Sequence, residues 1–119
     1  EDLVNITLTG ESGAKRIERI LDYFRNEIKF EIGNMKALVK EDYKLQKRYE
    51  GELISEITLP KSNVIKYFLE DGSWFVLRPS GTEPKMKVYI SAVTNDLLKS
   101  QARVKEIKDT VLEIVNKIE

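Results

Sequence analysis

The chain has 119 residues, enough for one compact domain and too few for two substantial ones, and its 41% hydrophobic content supports a real core. Twenty Lys and Arg balance twenty Asp and Glu, so net charge supplies no general pull toward nucleic acid or an anionic membrane. Cysteine and histidine are both absent, which excludes disulfides, thiolate nucleophiles, Cys/His zinc sites and a histidine general base.

Residues 3–9 read as a short strand or as an arm cut from its packing partner; they open with no basic start and apolar block of a signal peptide. Ser12, within Gly10-Glu11-Ser12-Gly13, is the expected cap of a first helix. In that helix Ala14, Ile17, Leu21, Phe24 and Ile28 recur at three- and four-residue intervals, and the pattern ends before Gly33-Asn34. The period then changes. Met35, Ala37 and Val39 alternate with Lys36, Leu38 and Lys40, as in a strand. Asp42 to Glu52 mixes charges with Tyr43, Tyr49 and Gly51 and reads as a long loop or excursion. Alternation resumes over Leu53–Leu59, limited by Pro60.

Val64–Leu69 and Ser73–Arg78 form a predicted hairpin across Glu70-Asp71-Gly72, because Asp-Gly tolerates positive φ. Lys85–Val93 is the next strand, with Met86, Val88, Ile90 and Ala92 on one side. Thr94-Asn95-Asp96 offers caps for a second helix, in which Val104, Ile107, Val111, Ile114 and Ile118 follow helical spacing. The expected fold class is α+β: a two-layer sandwich with a mainly antiparallel sheet and both helices on one face. No apolar run approaches the roughly 18 residues of a membrane span.

The loop Arg78-Pro79-Ser80-Gly81-Thr82-Glu83-Pro84-Lys85 is the richest chemistry in the chain, set between two apolar strands. Arg78 presents parallel donors to two oxygens of a phosphate, and Pro79 favours an extended predecessor. Ser80 and Thr82 bring hydroxyls, Gly81 lets backbone amides turn inward, and Lys85 adds a mobile charge. Glu83 is expected to face away from a bound anion and to pair with a nearby base. The plainer alternative is an ordinary polar turn with Arg78 and Lys85 solvated. A Walker A loop is absent, which argues against ATP hydrolysis. Tyr67, Phe68, Trp74, Phe75 and Tyr89 read as packing residues; Asp42, Asp71 and Asp96 read as surface, turn and capping groups.

Three stretches carry a family resemblance: residues 59–64 (Leu-Pro-Lys-Ser-Asn-Val), residues 68–74 (Phe-Leu-Glu-Asp-Gly-Ser-Trp) and the 78–85 loop. Together they resemble the C-terminal domain of the phosphoglucomutase/phosphomannomutase enzymes, over residues 11–119. The resemblance implies the fourth domain of a four-domain parent, with a TATA-binding-protein-like α+β fold. Residues 1–10 would then be the remnant of an interdomain linker.

The resemblance also implies that Arg78, Ser80, Gly81 and Thr82, with Lys85 nearby, bind the substrate's phosphate. It implies a parent that interconverts hexose 1-phosphate and 6-phosphate, of glucose first and mannose second, through a phosphoserine and a sugar bisphosphate. Mg2+ and glucose 1,6-bisphosphate are expected for that parent; this fragment is expected to hold neither cofactor nor catalytic residue, since the phosphoserine and Asp-x-Asp-x-Asp signatures are missing. The expected partners are a phosphorylated hexose and the remaining domains, without nucleic acid or membrane, in the cytoplasm. The alternative is a non-catalytic regulatory module that binds a phosphosugar or a protein.

Overall fold

A computed structural model describes residues 2–7, 10–80, 83–92 and 94–118, with side chains from Gly13 onward. The element order is β1 (Asp2–Thr7), α1 (Gly10–Asn26), β2 (Glu31–Ile32), β3 (Met35–Asp42), β4 (Lys47–Glu50), β5 (Leu53–Glu56), β6 (Ile65–Leu69), β7 (Trp74–Pro79), β8 (Lys85–Ser91) and α2 (Leu97–Lys117). The sheet runs β1-β8-β7-β6-β3-β4-β5, with β2 paired to β3, and its pairings are antiparallel.

Strand alternation explains the layering. Ile65, Tyr67 and Leu69 of β6, Phe75 and Leu77 of β7, and Met86, Val88 and Ile90 of β8 are all buried. They join Ile17, Ile20, Leu21 and Phe24 of α1 and Val104, Ile107, Val111 and Val115 of α2 in one core. Both helices therefore cover the same face of the sheet, as expected. Tyr67 is stacked on Phe75 at 4.9 Å between centroids and donates its hydroxyl hydrogen to Phe24 O at 2.9 Å.

Of the two readings of residues 3–9, the strand holds: residues 2–7 pair with β8 from Asp2↔Ile90 to Thr7↔Lys85. Several other expectations are corrected. Helix α1 starts at Gly10, so Ser12 falls within its first turn rather than ahead of it. It also ends at Asn26, before Ile28, because β2 and β3 form a hairpin whose turn, Gly33-Asn34, follows directly. Gly33 has φ +59°, and a Cβ there would lie 2.8 Å from Thr110 Cγ2 of α2.

The expected excursion over Asp42–Glu52 is instead ordered hairpin structure, with Lys40↔Tyr49 between β3 and β4 and Glu50↔Leu53 between β4 and β5. Its strands lack apolar alternation because they are held by the backbone ladder and by charge. Arg48 lies 3.3 Å from Glu41, and Lys47 lies 3.4 Å from Glu56.

A bulge decides the most consequential departure. Ala37 pairs with Leu69 but Val39 pairs with Phe68, so Leu38 is an extra residue and the facing reverses beyond it. Lys40 and Asp42, expected on the polar side and at the surface, consequently lie beneath α1 at 4% and 1% exposure. The Lys40 ammonium donates to the carbonyls of Phe24, Arg25 and Ile28, satisfying the end of α1. Burial, the leading cause, pulls Lys40 down to about 8; Arg25 and Lys29 add to that, and Asp42 opposes it.

The same device recurs on α2. Arg16 donates to Ile118 O at 2.8 Å and Val115 O at 3.2 Å. At the other end Asp96 caps α2 as expected, its Oδ1 accepting from Leu98 N at 2.8 Å and Lys99 N at 3.3 Å.

Candidate anion-binding cleft

The β7–β8 pairing places the loop. Phe75 and Leu77 point into the core, so Trp74, Val76 and Arg78 project from the opposite face of the sheet. Arg78 is directly opposite Lys87, and Pro79 is opposite Met86. Beyond them Ser80 N donates to Lys85 O at 2.8 Å, Lys85 N donates to Glu83 O at 2.7 Å, and Ser80 Oγ accepts from Glu83 N at 3.2 Å. These bonds tie Ser80 to Glu83 and Lys85.

Gly81 and Thr82, expected to supply the amide nest and the second hydroxyl, lie outside the described residues. Arg78 is exposed and forms no ion pair among the described residues. Glu83 pairs with Lys85 as expected, with Lys85 Nζ 3.0 Å from Glu83 Oε2, but it lines the same cleft as Arg78 and Ser80 rather than facing away from it. Part of Lys85's charge is thus neutralised by its neighbour.

The loop forms part of a cleft of about 560 Å³ that its own sequence does not reveal. From the loop come Arg78, Pro79, Ser80, Glu83 and Pro84; from α1 come Ala14, Ile17 and Glu18; from the approach to β6 come Ser62, Asn63 and Val64. Two separate family-like stretches, 59–64 and 78–85, therefore meet around one space. Sequence reasoning gave Asn63 no part in the site. Polar residues just ahead of a strand carry no signal of what they face.

The 62–64 segment is tied down from below. Arg25 Nη2 donates to Asn63 Oδ1 at 2.8 Å, while Arg25 Nε donates to Asp42 Oδ2 at 2.9 Å. Asp42 Oδ1 accepts from Lys44 N and Leu45 N, and Tyr43 N donates to Val64 O at 3.0 Å. Tyr43 itself is pushed up to about 12, by burial first and then by its bond to Glu41. Of the aromatic residues read as packing, Tyr67 and Phe75 are fully buried, and Phe68 and Trp74 flank the Lys66 ammonium at 4.6 and 4.4 Å on the other face.

Chemically, the cleft brings the donors of Arg78, Ser80 and Asn63 together with the carboxylates of Glu18 and Glu83. Among the described residues no group of three or more Asp and Glu is placed to hold a metal ion. No helix among them is long and apolar enough to cross a membrane.

The family profile described as "Phosphoglucomutase/phosphomannomutase, C-terminal domain" matches residues 3–114. The chain belongs to this family. It is 41% identical over 93 residues to a phosphoglucomutase of Staphylococcus epidermidis, covering 76% of this chain and 17% of that protein. A phosphoglucomutase of Staphylococcus saprophyticus is 44% identical over 92 residues, 71% of this chain and 16% of its own length. One from Staphylococcus aureus strain MSSA476 is 42% identical over 93 residues, 76% and 17% respectively. The chain spans about a sixth of the length of the curated relatives it matches. The profile match takes in β1 from Leu3 onward and the whole cleft, so the Arg78–Lys85 loop lies within the matched region.

Proposed function

We propose that this domain binds the phosphate of a phosphorylated hexose for a phosphohexomutase, through Arg78, Ser80, Gly81, Thr82 and Lys85. The observation that carries this reading is the exposed Arg78, without an ion pair among the described residues, lining one cleft with Ser80. A guanidinium there offers two parallel donors to an oxyanion, and the half-buried Ser80 limits where the anion can sit.

In this reading the domain supplies position rather than reactive groups. It clamps the phosphate that is not being transferred, which holds the reacting phosphate in line elsewhere. The parent would interconvert hexose 1-phosphate and 6-phosphate, glucose before mannose, through a phosphoserine and a sugar bisphosphate. Magnesium would be held by carboxylates of other domains, where it would stabilise charge on the transferred group. Residues 1–10 would lead in from those domains, the arrangement would be the TATA-binding-protein-like shape of a fourth domain, and the compartment would be the cytoplasm.

Replacing Arg78 with Ala in the full-length enzyme tests the reading. The expected result is a loss of kcat/KM of about 100-fold with the fold intact, as for removal of a preorganised charged donor. Unchanged turnover of both glucose and mannose phosphates would reject Arg78 as the anchor. An upstream coding sequence without a phosphoserine loop and a tri-aspartate run would remove the mutase assignment and favour a non-catalytic binding module.

A further inference from the structure

We propose that Asn63 is a further donor to the anion held by Arg78 and Ser80, and that Arg25 aims it. The inference rests on the phosphate reading above and deepens it. Arginine has no acceptor, so the atom of Asn63 that meets Arg25 Nη2 at 2.8 Å has to be the amide oxygen. That fixes the rotamer's sense: the oxygen is engaged by Arg25, and the two hydrogens of Nδ2 are directed elsewhere. Asn63 is exposed, lines the same cleft as Arg78 and Ser80, and its Nδ2 has no hydrogen-bond partner among the described residues.

Arg25 is well suited to hold such a group. Its side chain is only 6% exposed, and its Nε is fixed by Asp42, itself 1% exposed. The adjoining backbone is fixed as well, since Val64 O accepts from Tyr43 N at 3.0 Å. An anchor alone would be served better by an aspartate at position 63, which would give Arg25 a charged acceptor. What aspartate lacks is a donor. An amide that accepts on the protein side and donates into a cleft is suited to recognising an oxyanion.

The test is a titration of the 119-residue chain with inorganic phosphate, followed by 15N–1H correlation spectra that include side-chain amides. Wild type, Arg78→Ala, Asn63→Asp and Asn63→Ala are compared. The Asn63 Nδ2 signals are expected to shift along the same saturation curve as Arg78 Nε. Asn63→Asp, which keeps a partner for Arg25, is expected to weaken phosphate at least fivefold with the rest of the spectrum retained. Asn63→Ala is expected to weaken it at least threefold without adding charge. If Arg78→Ala abolishes binding while either Asn63 variant stays within twofold of wild type, the donor role is overturned and the phosphate reading stands. If wild type itself shows no shifts at Arg78 and Asn63, both are overturned.

Discussion

Arg25 and Asp42 form an ion pair at 2.9 Å, with their side chains 6% and 1% exposed, beneath the turn that leads into the cleft. Asp42 also accepts two backbone amides, and Arg25 reaches on to Asn63, so the pair links the end of α1 to the cleft wall. Removing one partner leaves the other buried and charged. Arg25→Met is expected to destabilise the fold by about 3–5 kcal/mol. The loss would be read from urea midpoints. A change below 1 kcal/mol would show that Asp42 finds water or another partner once Arg25 is gone.

Lys40 gives a pH dependence with a definite sign. Its folded value, about 8, lies below the ordinary lysine value of 10.5, so between these values the unfolded chain binds more protons. Stability therefore rises with pH across that window, by about 1–2 kcal/mol up to pH 10. Above pH 10 the trend reverses, because burial holds Tyr67 and Tyr43 above the ordinary tyrosine value while the unfolded tyrosines ionise. Unfolding curves of wild type and Lys40→Met between pH 7.5 and 10 would check this. The rise should be absent from Lys40→Met; a parallel rise in both proteins would assign it to another group.

Gly33 combines two constraints that a double substitution separates. Gly33→Ala meets a positive φ and a Cβ contact of 2.8 Å with Thr110 Cγ2, and is expected to cost about 1–3 kcal/mol. Thr110→Ser removes that methyl group. In the Gly33→Ala background it should recover part of the thermal midpoint and leave the backbone strain behind. No recovery would mean that strain accounts for the whole effect.

Glu83 restrains the charge on the phosphate loop. Glu83→Gln removes the acid 3.0 Å from Lys85 Nζ, so the lysine becomes available to an anion. Phosphate binding by the chain is expected to tighten about two- to fivefold, with a steeper dependence on salt. Weaker binding in the variant would show that the ion pair holds the loop in its binding shape.

The sequence exposes much of this organisation where one local pattern dominates. Alternation in β6, β7 and β8, the Asp-Gly turn and the Asp96 cap each depend on near neighbours. Strand β4 was not legible because its order comes from ladder pairing and cross-strand charges, with no apolar period to announce it, whereas β5 falls in the stretch where alternation resumes. In the cleft, the Arg78–Lys85 loop was visible as a cluster of donors, whereas Asn63 was visible only as a polar residue before a strand.

What the sequence determined by itself is the α+β class, the two amphipathic helices and the loop that carries Arg78 and Ser80, because hydrophobic period and turn chemistry are local properties. Tertiary structure alone decided that Leu38 bulges, that Lys40 and Asp42 go under α1, and that Asn63 meets Arg25 beside the loop. A bulge is chosen by pairing with a distant strand, and a one-residue slip exchanges the two faces of everything beyond it.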